Sequence, residues 1–199
     1  MSNAISTAVS PVVGSVVDAL ENVVSGVPAT RQRPVDDPAA MAKVLARKAA
    51  LRAAGLSGAL ALPPGALGML TVLPDLIAIW RIQAQLVSDI AGLHGKELQL
   101  TRAHMVYCLF RHAASQYTRD VVVRTGQRLI VQQLTGGALK SVLTGVGMSV
   151  TQRVAGTAAS RWVPVLGAAA VAGYAYYDTL QVARTASNLL ESPGLTPEP

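Results

Sequence analysis

The chain has 199 residues, the length of one domain with a substantial core. Hydrophobic residues make up 51% of it and charged residues only 14%, about half the charged share of an ordinary soluble domain, which favours contact with lipid. The net charge is +6, but the arginines are scattered and only 4% of residues are aromatic. Scattered arginines and few aromatic residues argue against nucleic acid as the partner and favour an anionic membrane surface.

The N-terminal region and the cysteine content bear on location. Cys108 is the single cysteine, which excludes an intramolecular disulfide framework and fits a reducing compartment. The first basic residue is Arg31, so the start lacks the charged region of a secretory signal. We expect a cytoplasmic protein that is peripheral to the membrane.

The first predicted helix begins at Pro11 and is amphipathic, with its apolar stripe formed by Val12, Val16, Leu20 and Val23. A polar linker from Pro28 to Pro38 follows it, so we expect this helix to dock loosely. The predicted organisation is an N-terminal helix and linker at 1–37, a helical domain at 38–191 and a disordered tail at 192–199.

The second predicted helix begins at Pro38, after the N-cap residue Asp37, and ends at Gly55. Its basic residues recur at spacings of four and five, and they are Lys43, Arg47, Lys48 and Arg52. Such a face fits acidic lipid headgroups. The alternative, favoured equally, is the solvated outer face of a core helix.

Residues 53–74 carry no charge over 22 positions, a length that could span a bilayer. Pro63 and Pro64 interrupt this stretch, so a buried hairpin or a re-entrant turn is favoured over a transmembrane helix. The next predicted helix starts near Thr71, has Pro74 in its first turn, and ends around Gly92 to Gly95.

Later segments complete an all-α prediction: a single compact multi-helix bundle with glycine- and proline-rich apolar hairpins. A helix is predicted from Thr101 to about Thr118 and a small-residue helix up to about Ser160. Residues 119–135 are predicted to be helical, with a β-hairpin as the alternative. The last predicted helix runs from Pro164 to about Leu190.

We expect the hairpin around Pro63 and the last helix to pack against each other in the centre of the bundle. In that centre, glycines and tryptophans would either pack closely where helices cross or line an apolar cavity that accepts an acyl chain. The residues predicted for this role are Gly58, Gly65, Trp80, Trp162, Gly167 and Gly173.

Two acids lie in otherwise apolar helices, where an unpaired carboxylate would be costly. Asp75 and Asp178 are therefore predicted to be buried acids that pair with an arginine, or to point to water at the mouth of a cavity. Arg81, Arg161 and Arg184 are the candidate partners.

Catalytic patterns are absent from the sequence. It contains neither a G-x-S-x-G elbow nor a phosphate-binding loop. His104, Cys108 and His112 are spaced four apart, so the outer two lie about 12 Å apart on a helix and cannot share one metal ion. We predict no enzyme, no cofactor and no metal.

Two stretches resemble EcsC-family proteins. The first contains Gly55-Leu-Ser-Gly58, Leu73-Pro-Asp-Leu76, Gln83-Ala-Gln-Leu-Val-Ser-Asp-Ile-Ala91 and His94-Gly95; the second contains Val163-Pro-Val-Leu-Gly-Ala168 with Tyr174, Thr179 and Ala183. Together they cover roughly residues 40–190. The chain departs from the family pattern at His94, where tyrosine is usual, in the short connection after Gly95, and in the added N-terminal helix.

The resemblance implies an all-α fold with peripheral membrane association, in a family named for a protein encoded beside an ABC transporter. It implies no catalytic residues. A non-catalytic, lipid-binding or membrane-associated protein is thus the leading hypothesis. The alternatives are a membrane-active toxin or effector, or its neutraliser, and a scaffold or regulatory partner of a membrane protein such as a transporter.

Overall fold

A computed structural model of the chain describes residues 14–60, 67–111, 122–125, 128–131, 141, 143–145, 147–148 and 164–192. The predicted helical bundle is confirmed. Among the described residues, the helices that can be given bounds are α1 (14–24), α2 (Pro38–Leu60), α3 (Leu67–Leu93), α4 (Arg102–Phe110) and α5 (Pro164–Glu191). The described residues 141, 143–145 and 147–148 are helical as well. A short 3₁₀ helix (Glu97–Gln99) joins α3 to α4.

The centre of the bundle is the packing of α2 against α3 and, most extensively, against α5. The buried face of α2 consists of small residues: Ala42, Ala46, Ala49, Ala50 and Ala53. Small side chains let helix backbones approach closely, and a Cβ built on Gly58 would lie 3.5 Å from the Cβ of Ala172 in α5. Larger residues from α3, α4 and α5 fill the remaining core, among them Ile90, Phe110 and Leu189.

Helix α1 belongs to this same core, since Leu20 and Val24 are fully buried in it together with residues of α3 and α5. The expectation that α1 docks loosely was therefore wrong. Three residues of the predicted apolar stripe, Val16, Leu20 and Val23, are buried, while Val12 lies outside the described residues.

Two helix boundaries differ from the prediction. Helix α2 continues through Gly55 to Leu60, and α3 begins at Leu67 and includes Pro74 in its interior. An exposed glycine costs a helix only about 1 kcal/mol, which the packing of Ala53 and Ser57 on the far side can offset. Pro63 and Pro64, around which a hairpin was predicted, lie outside the described residues.

The prediction of helix at 119–135 was wrong, because the segment contains an antiparallel hairpin of β1 (Val122–Thr125) and β2 (Arg128–Val131). Thr125 pairs with Arg128, which leaves the two-residue connection that hairpins favour. The β-branched residues of both strands support this pairing, and their preference outweighed that of the neighbouring helix formers.

The beginnings of α2, α4 and α5 follow the sequence signals. The Asp37 carboxylate accepts a 2.9 Å hydrogen bond from the N–H of Ala40, as an N-cap does. Helix α5 runs from Pro164 to Glu191, almost as predicted. The predicted extension of α4 to Thr118, most of the small-residue helix and the tail at 193–199 fall outside the described residues.

Candidate functional site

The basic residues predicted to contact lipid all lie on the exposed face of α2. Between them are two large apolar side chains, Val44 and Leu51, which are 59% and 65% exposed. They are seven residues apart, almost two full helical turns, so they lie on one line along the helix. The exposed side of α2 therefore carries a line of two apolar side chains as well as charges.

The four basic residues flank this line on both sides rather than forming one stripe. At 100° per residue, Lys43 and Arg47 lie on one side of it, and Lys48 and Arg52 lie on the other. Long basic side chains can cover apolar surface with their alkyl stems while the charged ends reach outward. We call this surface, comprising Val44, Leu51 and the four basic residues, the α2 outer face.

Lys48 and Arg52 also line a cleft of about 570 Å³ between the linker, α2 and α3. Arg31 from the linker and Arg81 from α3 line it too, so four cationic side chains meet there. Asp89 is the one acid among the described residues that line it. We call it the basic cleft.

Hydrogen bonds fix the linker wall of the basic cleft. The Asp89 carboxylate accepts bonds from the N–H of Arg31 at 2.7 Å and from the amide of Gln85 at 3.0 Å. The Gln85 amide also donates to the carbonyl of Ala29 at 3.0 Å. Two side chains of α3 thus hold the linker at Ala29 and Arg31, which places the backbone of Arg31 on the cleft wall.

The predicted buried acid Asp178 lies half-buried in α5. Its carboxylate accepts a 2.7 Å hydrogen bond from the amide of Gln83, a fully buried residue of α3. The same amide lies 3.3 Å from the hydroxyl of Thr179. Gln83, which the sequence did not single out as a partner, links α3 to α5. The side chain of Asp75 falls outside the described set.

The residues predicted for close crossings or a cavity have mixed outcomes. Gly58 lies at the close approach of α2 to α5, and Trp80 is buried edge-on against Phe110, with ring centroids 5.7 Å apart. Gly173 is exposed, and a Cβ there would meet nothing within 4 Å. Its prediction as a close crossing was wrong, because Gly173 lies on the outer side of α5.

Three further residues were predicted to pack closely or to line a cavity. Gly65 and Trp162 lie outside the described residues. Gly167 lies within α5, while its surroundings are not described.

Of the row formed by His104, Cys108 and His112, the structure describes the first two, and His112 lies outside the described residues. His104 caps α4, because its Nδ1 accepts a 3.0 Å hydrogen bond from the N–H of Thr101. Burial lowers the pKa of His104 to about 4 and raises the pKa of the fully buried Cys108 thiol to about 12. Nothing here assembles a reactive thiol, and the described residues contain no group of three potential metal ligands.

One described helical stretch, Leu76–Leu93, is long and apolar enough to cross a bilayer. Two thirds of it, 67%, is buried against the rest of the protein, as expected for a core helix of a soluble protein. It is weak support for a membrane span.

Sequence reasoning missed Val44 and Leu51 because it followed the charges alone. Their seven-residue spacing next to basic residues was a readable signal. Arg31 and Arg81 are 50 positions apart, and nothing local to either one indicates that they share a cleft.

Comparisons of the chain with protein-family models, curated proteins and solved structures found no match. The resemblance to the EcsC family therefore stays a prediction.

Proposed function

We propose that this protein binds peripherally to anionic membrane surfaces through the α2 outer face, without catalysing a reaction. The observation that carries the proposal is the pair of exposed apolar side chains, Val44 and Leu51, between basic residues on both sides. Exposed apolar side chains flanked by lysine and arginine are two of the features found in helices that lie at a membrane surface.

Each part of the α2 outer face has a role in this proposal. Val44 and Leu51 would leave water for the boundary between headgroups and acyl chains. The basic residues would contact acidic headgroups, with each one contributing about 1 kcal/mol near such a surface. None of the four basic residues has an ion-pair partner among the described residues, so their charge is available to headgroups. The buried face of α2 holds the helix in the bundle meanwhile.

Co-sedimentation with vesicles tests the proposal. Wild type should sediment with vesicles of phosphatidylcholine containing phosphatidylglycerol, and much less with pure phosphatidylcholine. The double charge reversal Lys43→Glu/Arg47→Glu should greatly reduce sedimentation with the anionic vesicles. The matched control Arg102→Glu/Arg184→Glu reverses two exposed charges on α4 and α5 and should bind almost as wild type.

Other outcomes would favour the rival functions. An equal loss of sedimentation in both double variants would show that only net charge matters. Wild-type sedimentation of both would show that neither pair of residues matters. Either result would contradict a role for α2. Leakage of dye from the vesicles would favour a membrane-active protein. A stable stoichiometric protein partner, with no vesicle binding, would favour a scaffold or regulatory subunit.

A further inference from the structure

The basic cleft concentrates positive charge that the described protein does not neutralise. Arg31, Lys48, Arg52 and Arg81 contribute four positive charges to its lining, and Asp89 contributes one negative charge, which leaves a formal +3. None of the four cationic groups forms an ion pair with an acid in the described part of the chain. The Asp89 oxygen that faces the linker is already engaged by Arg31 N–H and Gln85.

The rest of the lining supports binding of a compact ligand. Asn22 and Gln32 add neutral polar groups, while Ala84 and Leu86, almost fully buried, form an apolar floor. A wall of low dielectric constant focuses the field of the cations into the cleft. A volume of about 570 Å³ lies within the usual range of small-ligand sites.

The lining also discriminates between classes of anion. Three of the four cations are arginines, whose planar guanidinium groups match phosphate oxygens in pairs. A single phosphate carries too little charge to balance +3. The described residues of the lining include no aromatic side chain on which a base could stack, which argues against a nucleic-acid strand.

We propose that the basic cleft binds an anion bearing two or more phosphate groups. The ligand is either a free polyphosphorylated molecule or the phosphorylated headgroup of a lipid, because both present the same chemistry. Arg31 is held in place by its backbone bond to Asp89 in the absence of ligand, so part of the ordering cost is met before binding. If the ligand is a lipid headgroup, the inference rests on the proposed membrane docking and refines it; binding of a free ligand does not.

Titration calorimetry with inorganic tripolyphosphate, without divalent cations, tests the shared chemistry. Wild type should bind one equivalent, and added salt should weaken binding. Arg81→Glu should raise the Kd by at least about tenfold, whereas Arg184→Glu, which reverses an exposed charge on α5, should bind as wild type. Arg81→Gln removes the charge without reversing it, and it should weaken tripolyphosphate binding less than Arg81→Glu does. It keeps the test valid if Arg81→Glu misfolds, and circular dichroism checks the fold of each variant.

No binding of tripolyphosphate by wild type, or an unchanged Kd in both Arg81 variants, would overturn the proposal. A competition between two kinds of vesicle distinguishes a lipid headgroup from a free ligand. Vesicles of phosphatidylcholine with phosphatidylinositol bisphosphate should outcompete phosphatidylserine vesicles of equal charge if the cleft takes a headgroup, and tripolyphosphate should then displace them. Binding of tripolyphosphate without that preference supports a free ligand.

The same variants separate this inference from the proposed function. Lys43 and Arg47 do not line the cleft, so Lys43→Glu/Arg47→Glu should lose binding to phosphatidylglycerol vesicles and keep tripolyphosphate affinity. Arg81→Glu should show the opposite pattern. Vesicle binding through the α2 outer face and tripolyphosphate binding in the basic cleft can therefore be disproved independently of each other.

Discussion

The carboxylate of Asp89 in α3 accepts a 2.7 Å hydrogen bond from the backbone N–H of Arg31, 58 residues earlier in the chain. The same carboxylate accepts a hydrogen bond from the side-chain amide of Gln85, and this amide also donates to the carbonyl of Ala29. A charged acceptor in α3 thus determines the path of the linker, and the linker forms one wall of the basic cleft.

Replacing Asp89 with alanine should therefore release the linker. We expect a loss of about 1–3 kcal/mol in the free energy of unfolding, because backbone and amide donors lose their shared acceptor. Asp89→Asn keeps one carbonyl oxygen and should lose less. Urea unfolding measures both, with the exposed Asp36→Ala as the control. A loss for Asp36→Ala as large as for Asp89→Ala would contradict this role.

At Gly92 the backbone of α3 lies close to Thr30 of the linker. A Cβ at this position would lie 2.9 Å from the Cβ of Thr30, so Gly92→Ala should push the linker away and destabilise the fold by about 1–3 kcal/mol. Gly55→Ala is the matched control, since Gly55 is helical, exposed and open to solvent. It should be neutral or stabilising by up to about 1 kcal/mol. Thermal unfolding compares the two, and equal effects would argue against a close approach at Gly92.

The bond between Gln83 and Asp178 predicts energetic coupling between α3 and α5. Gln83→Met fills the same buried space but removes the amide that Asp178 and Thr179 share, which should cost about 1–2 kcal/mol. A double-mutant cycle of Gln83→Met with Asp178→Ala should give a coupling energy of at least about 0.5 kcal/mol. Strict additivity of the two changes would mean that the bond does not stabilise the interface.

His104 should make the protein less stable as the pH falls. Burial lowers its pKa to about 4 in the folded state, against about 6.5 in the unfolded chain. The unfolded state therefore takes up the proton first, and its uptake favours unfolding between pH 6.5 and 4. Protonation of Nδ1 would also remove the acceptor for Thr101 N–H.

The expected loss is up to about 1.4 kcal/mol for each pH unit in that window. His104→Gln keeps a capping side chain at the same position and cannot titrate, so its stability should depend less on pH. Urea unfolding at a series of pH values measures the difference in slope. Parallel curves for wild type and His104→Gln would contradict the prediction.

The sequence was sufficient for elements whose signals are local. Pro164 begins α5 and Asp37 caps α2 because backbone geometry and N–H donors are satisfied within a few residues. The end of α2 was missed, since the preference of Gly55 to stop a helix is small beside the packing of the following turn on α5. Residues 122–131 were misread because valines and isoleucines suit a strand and a buried helix alike.

The candidate site was predicted in part. The basic residues of α2 are visible from their spacing, and their exposure follows from the alanine-rich face opposite. The basic cleft depends on Arg31 and Arg81 meeting Lys48 across three separate segments. Such a meeting is set by tertiary packing and by the Asp89 contact, neither of which has a local signal.

A fluorescent label on a cysteine that replaces Leu51 tests membrane docking most directly. The thiol of Cys108 is fully buried and its pKa is raised to about 12, so it should stay unlabelled when Leu51→Cys is modified with an environment-sensitive fluorophore. Leu98→Cys provides the control, because Leu98 is the more exposed apolar residue, at 97%, but lies outside α2. On phosphatidylglycerol-containing vesicles, the account predicts a blue shift and quenching by lipid-borne quenchers at position 51, and little change at 98. An unchanged spectrum at 51, or a larger shift at 98, would contradict docking through α2.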